Sequence, residues 1–323
     1  MTLTEDDLAA AHARVTASMP PTPQYAWPLL RRRLGAEVWV KHENHTPTGS
    51  FKVRGALTFM DWLTRTHPDV RGICTATRGN HGQGQAWAAT KAGLTAKVYV
   101  PKGNSVEKNA AMAAFGADLV EFGEDFDTAR LEARRVAEAE GLFLVPPFHP
   151  ELVRGVASYG YELFSAVPDL DAVYVPIGCG SGICGTIAAR DALGARAEIV
   201  GVVNENAPTA KLSAEAGRPV ATETARTFAD GMAVRVPVPE ALAIYGQKAA
   251  RILTVSDAEV AEAIRVYYSD THNLAEGAGA APLAALMQER ERMKGKKVAV
   301  ILCGGNIDRD WFVTVMRGGV PEV

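Results

Sequence analysis

Residues 41–56 read Lys-His-Glu-Asn-His-Thr-Pro-Thr-Gly-Ser-Phe-Lys-Val-Arg-Gly-Ala, and the reading of this stretch governs that of the rest of the chain. A strand ends at Lys41, a turn rich in Pro and Gly follows, and Lys52 opens a helix. A lysine at a helix start is ordinarily only solvated. This one follows Ser50 and Phe51, in the kind of turn where open α/β sheets build their ligand crevices. A lysine held in such a crevice loses its proton more readily and can attack an aldehyde to form a Schiff base. Phe51 would give a flat ring an apolar wall.

Outward from this turn, short apolar runs alternate with helical patterns. The spacing predicts strands over residues 38–41, 72–76, 96–101, 119–122, 142–145, 172–176, 198–203 and 298–302. Between them lie helical stretches over 81–92, 106–115, 127–140 and 257–269, and a first helix with an acidic first turn begins near Thr4. Such alternation argues for an α/β fold with parallel-rich sheets flanked by helices. Polar and turn residues cluster at 44–48, and Pro146-Pro147 and His149-Pro150 break the middle of the chain. The expected division is a small inserted domain over 47–148 within a larger domain built from 1–46 and 149–323.

Composition narrows the function. The chain has 323 residues, 47% apolar and 22% charged, with a net charge of −3. No basic excess points to nucleic acid or to an anionic membrane. The N-terminus, Met-Thr-Leu-Thr-Glu-Asp-Asp, has no signal-peptide character, and no run of about 18 apolar residues suggests a membrane span. A cytoplasmic protein is expected. Cys74, Cys179, Cys184 and Cys303 are scattered, which suits reduced thiols better than disulfides or a zinc site; no metal is expected.

Two further stretches carry chemistry. Thr77-Arg78-Gly79-Asn80-His81-Gly82-Gln83-Gly84 follows a strand and starts a helix, whose unpaired N–H groups suit a carboxylate. A plain capped turn is the simpler reading. Gly178-Cys179-Gly180-Ser181-Gly182-Ile183-Cys184-Gly185 also leads into a helix, and its backbone can curl around a phosphate. Gly180, Gly182 and Gly185 equally fit a dinucleotide fingerprint, with Glu205 about 20 residues on as a ribose-binding acid. That alternative makes the chain an NAD-binding Rossmann oxidoreductase, but it leaves Lys52 and Asn80 without a role.

Ser-Phe-Lys-Val-Arg-Gly-Ala, residues 50–56, resembles the pyridoxal-phosphate (PLP) attachment motif of the serine/threonine dehydratase family. That family has the tryptophan synthase β-like fold, also called PLP fold type II, and includes serine racemases. The resemblance recurs from Thr22-Pro23 to Asn306, nearly the whole chain. It implies a two-domain enzyme with PLP on Lys52 and Phe51 beside it. It implies that Asn80 contacts the ring hydroxyl and that Thr77, Arg78, Gly79 and His81 bind the substrate carboxylate. Gly178, Cys179, Gly180, Ser181 and Gly182 would hold the phosphate. Cys303 would contact the ring nitrogen, Gly231 would pass beside the cofactor, and Glu276 matches an acid near the site.

The sequence departs from the family pattern at Arg78, where a serine is common and acts as an acid/base in racemases. Arginine stays charged and cannot replace it, so elimination is favoured over racemisation. The carboxylate ligands of a divalent site in some relatives align with Val203 and Thr209, so that site is expected to be lost. The resulting expectation is a homodimeric PLP-dependent ammonia-lyase acting on L-threonine or L-serine in amino acid catabolism. 3-Phenylserine and 3-hydroxyaspartate are the alternative substrates, and a non-catalytic PLP or amino-acid sensor is a third class.

Overall fold

In the computed structural model, which describes residues 2–124 and 126–323, the strands sort into two sheets. In chain order they are β1 (Gln24–Ala26), β2 (Glu37–His42), β3 (Gly72–Ala76), β4 (Thr95–Val100), β5 (Ala117–Glu121), β6 (Phe143–Leu144), β7 (Ala172–Pro176), β8 (Glu198–Asn204), β9 (Arg251–Val255) and β10 (Lys297–Leu302). The six-stranded sheet has the order β1-β2-β10-β7-β8-β9, and the four-stranded sheet β5-β4-β3-β6. All neighbours pair in parallel except β1 with β2. The central strands β7, β8 and β10 are almost continuously buried, which is why their sequences are unbroken apolar runs rather than alternating ones.

Two strands escaped the sequence reading, both at edges of the larger sheet. β1 is a short, half-exposed Gln-Tyr-Ala, and β9 is only partly buried along Arg-Ile-Leu-Thr-Val. Edge strands need not be apolar throughout, so neither shows the signal of a core strand. The other expected elements are present, displaced by a few residues at their ends. Strand 142–145, for example, shortens to β6.

The helix Lys52–Thr66 packs against Pro150–Ala166 at very short range. A Cβ on Gly155 would stand 2.2 Å from the Arg54 carbonyl oxygen. One apolar core surrounds the larger sheet. A second joins Val15 and Met19 of the N-terminal segment, Val53, Phe59 and Met60 of the helix after Lys52, and Leu152. The start of the Lys52 helix is thus wedged between the layers of the molecule. No helix among the described residues is long and apolar enough to cross a membrane, and all four cysteines are free.

Candidate active site

In a parallel sheet the strands' C-terminal ends and the following helix N-termini lie on one side, where backbone N–H groups and loop side chains converge. Lys52 lies there, at the head of its helix. Its Nζ stands 3.3 Å from Ser181 Oγ and 4.8 Å from the centre of the Phe51 ring. Phe51 is held on two sides: its N–H donates to the Cys303 carbonyl at 3.0 Å, and its ring meets Tyr159 edge-on. Lysine, aromatic wall, glycine loop and Cys303 are therefore brought together.

The glycine loop follows β7. Gly180 precedes the helix Ser181–Ala192 with φ of 97°, and no side chain caps that helix. Its first N–H groups are left open toward an anion. Tyr159 Oη donates to the Gly182 carbonyl at 2.9 Å and pins the first turn. Gly231 packs against Gly178, with its carbonyl oxygen 2.2 Å from where a Gly178 Cβ would stand. Cys179 is half-buried, and burial pushes its thiol up, outweighing the opposing pull of Lys52. It remains a neutral thiol.

The loop after β3 faces the same space. The Thr77 hydroxyl accepts from the N–H groups of Gly79 at 3.0 Å and Gly82 at 3.3 Å, fixing the turn. Gly79 precedes the helix Asn80–Lys91, again with no side-chain cap. His81 does not cap it; the ring is half-buried and its Nε2 has no partner. Burial, with help from Lys52, lowers the imidazole pKa to about 3, so His81 is neutral. Arg78 is exposed and pairs with no carboxylate among the described residues.

Asn80 Nδ2 donates to both oxygens of Glu276, at 2.7 and 2.9 Å. Glu276 stands at the head of the helix Gly277–Gln288 but makes no cap bond, both of its oxygens being taken by Asn80. Burial and Asp230 push its carboxyl up to about 7, against the pull of Lys108, Asn80 and Lys52. Burial also pushes the Cys303 thiol well up, with Glu276 adding to it. Cys303 is a neutral group.

Three participants were not legible as such in the sequence. Lys108, in the helix Val106–Ala114, is buried and ion-paired with Asp230. Burial works against its charge, but Asp230 and Glu276 prevail and raise its pKa. A lone lysine in a helix reads as solvated, so only the adjacency of Asp230 to Gly231 offered a hint. Asn306 donates to Asn80 Oδ1 at 2.8 Å. Arg54, two residues beyond Lys52, is wholly buried. It donates to Glu43 at 2.7 and 3.0 Å, to Glu162 at 2.8 and 2.9 Å, and to Ser158 at 2.9 Å. Lys41 Nζ adds a bond of 2.5 Å to Glu162.

The donor set fits PLP. Open helix N-termini suit a phosphate and a carboxylate, a primary amine suits an aldehyde, and the Ser50 hydroxyl and His81 Nε2 are buried polar atoms without partners. A family model described as pyridoxal-phosphate dependent enzyme matches residues 15–304. The chain belongs to this family. PLP is its cofactor, and the dinucleotide reading of residues 180–185 gives way to it.

Relatives in the family place the chain further. L-threonine ammonia-lyase of Thermotoga maritima is 33% identical over 91% of this chain and 73% of its own length. L-threo-3-hydroxyaspartate ammonia-lyase of Saccharomyces cerevisiae is 30% identical over 98% of this chain and 97% of its own. Serine racemase of Schizosaccharomyces pombe is 31% identical, covering 94% of each. Among solved structures, processed threonine deaminase isoform 2 from Solanum lycopersicum superposes with a TM-score of 0.89 at 29% identity, covering 98% of this chain and 94% of that one. The fold is PLP fold type II.

Proposed function

We propose that this chain is an ammonia-lyase that removes water and ammonia from a β-hydroxy amino acid of the L-threonine and L-serine type, yielding a 2-keto acid. The observation that carries this reading is the Lys52 amine, 3.3 Å from Ser181 at the head of the glycine loop. Ammonia-lyases of that kind stand among the relatives on both the one- and two-carboxylate sides.

Bound PLP supplies an aldehyde that takes up amines covalently and a ring that draws electrons from the substrate Cα. The residues do the rest. Open N–H groups at residues 180–182 would hold the phosphate, and Phe51 would line the ring. Asn80 would meet the ring hydroxyl, and the open N–H groups of residues 78, 80 and 81 would hold the substrate carboxylate. Lys52 Nζ takes the proton from Cα. Cys303, a buried neutral thiol, is too weak a partner to keep a ring nitrogen charged. Negative charge on the substrate is therefore shed by prompt loss of the β-hydroxyl. Water is lost across Cα–Cβ, and the freed enamine hydrolyses to the keto acid and ammonia. Arg78 offers no neutral acid/base, which disfavours racemisation. Purified protein given L-threonine or L-serine should form keto acid and ammonia in equal amounts, and Lys52→Ala should form none. Keto acid at the wild-type rate from Lys52→Ala would defeat the mechanism.

A second reading concerns the β-substituent. Arg78 is an exposed cation at the lip of the carboxylate loop with no ion-pair partner among the described residues. A second substrate carboxylate would pair with it, as in 3-hydroxyaspartate. Arg78→Ala should then cut kcat/KM on 3-hydroxyaspartate about tenfold or more, with little effect on threonine; equal losses would remove this reading.

We propose also that residues 47–148 act as a small unit inserted in the larger one (1–46 and 149–323), and that the protein is a cytoplasmic homodimer. Light scattering should give about twice the 34.4 kDa chain mass.

A further inference from the structure

Both amide atoms of Asn80 have partners inside the protein, and Oδ1 keeps a second lone pair free for a ring hydroxyl. Nδ2 donates to the two oxygens of Glu276, at 2.7 and 2.9 Å, and Oδ1 accepts from Asn306 Nδ2 at 2.8 Å. Asn306 is fixed in turn, because its Nδ2 also donates to the Thr48 carbonyl at 2.9 Å. The Asn306 NH2 group only donates at any pH, and Glu276 only accepts once its carboxyl is ionised, above about pH 7. Glu276 and Asn306 therefore leave the Asn80 amide one of its two flips.

The place occupied by Glu276 is built closely around it. The residue is 2% exposed, and its N–H donates to the Gly304 carbonyl at 3.1 Å. A Cβ on Gly304 would stand 2.5 Å from Glu276 Oε1, so only glycine leaves room for the carboxyl. Burying an acid without matched partners is costly. Burial and the neighbouring Asp230 push its carboxyl up to about 7, although Lys108, Asn80 and Lys52 pull it down. A carboxyl kept at that cost, with both oxygens on one amide and none on the helix it precedes, has a positional task.

We infer that Glu276 is a positioning residue that, with Asn306, locks the flip of the Asn80 amide and thereby sets how tightly the site holds its cofactor. The inference rests on the reading of Asn80 as a cofactor contact. Glu276 itself touches neither cofactor nor substrate in this account; it acts through Asn80.

The test reads cofactor affinity rather than turnover. PLP is removed from the holoenzyme and titrated back, with the dissociation constant followed by visible absorbance. Wild type is compared with Glu276→Ala, Asn306→Ala, Asn80→Ala, Glu276→Gln and the doubles that combine Asn80→Ala with each alanine variant. Glu276→Ala, Asn306→Ala and Asn80→Ala should each weaken PLP binding about tenfold. Neither double should bind more weakly than Asn80→Ala alone, and Glu276→Gln, which keeps an accepting oxygen, should stay within about threefold of wild type. Should Glu276→Ala fail to fold, Asn306→Ala and its double read the same coupling. Losses that multiply in the doubles, or wild-type affinity in Glu276→Ala and Asn306→Ala, would overturn the inference while leaving the cofactor site intact. A wild type that takes up no PLP would defeat the cofactor reading and the inference together.

Discussion

Single residues in this site are set by their surroundings more than by their type. His81 and Cys303 are kept neutral by burial, and Lys52 faces both loops from one helix end. Glu276 has a measurable consequence for stability. Its pKa is raised by burial and by Asp230 to about 7, above the ordinary carboxyl value. The folded protein thus holds that proton more tightly than the unfolded chain does. The associated stability is fully present below the ordinary carboxyl pKa and is lost as pH rises through about 7. Cofactor-free wild type should lose on the order of 3 kcal/mol of stability across that window relative to Glu276→Gln. Parallel pH profiles in chemical denaturation of the two proteins would contradict this. Lys52 and Asn80 were legible in the sequence because each sits in a dense local motif. Glu276 was visible only as the match to a family acid near the site, and its bond to Asn80 spans 196 positions.

At the scale of elements, the two loops proposed to bind the phosphate and the substrate carboxylate depend on glycines at particular places. Gly180 adopts φ of 97°, and a Cβ there would also stand 2.5 Å from the Ala241 Cβ. Gly180→Ala should cost roughly 1–2 kcal/mol from the left-handed conformation alone, and should weaken PLP binding because the N–H groups that follow are displaced. Unchanged affinity and melting temperature would show that the loop does not depend on this turn. Gly155 lets two helices meet backbone to backbone. Gly155→Ala should lower the melting temperature and shift the Lys52 helix, read as a parallel fall in PLP affinity. The loops were legible because glycine runs after apolar strands are rare patterns with a physical reason. β1 and β9 were not, because edge strands carry no comparable pattern.

Over the whole molecule, charges join parts that are distant in sequence. Lys41, Glu43 and Arg54 all lie within residues 41–56, but Glu162 lies 108 positions beyond Arg54. Local pattern could not reveal that a helix from mid-chain closes the cluster beneath Lys52. Glu162→Ala would leave Arg54 and Lys41 buried with too few counter-charges, and should cost roughly 3–5 kcal/mol in denaturant titration; a loss below about 1 kcal/mol would mean that water reaches the cluster. On the other side of the site, Lys108 in the helix Val106–Ala114 pairs with Asp230, and Ser105 donates to Asp308 at 2.5 Å. These contacts tie the segment around 105–108 to the body that carries the glycine loop. The most direct test of the site as a whole is the visible absorbance spectrum of the purified protein with PLP, recorded before and after borohydride, with keto acid assayed on L-threonine, L-serine and 3-hydroxyaspartate. A lysine-linked band that borohydride removes, absent from Lys52→Ala, with keto acid from at least one substrate, is the expected result. No band after PLP is supplied, or turnover that survives in Lys52→Ala, would contradict the assignment of Lys52 as the residue on which the chemistry rests.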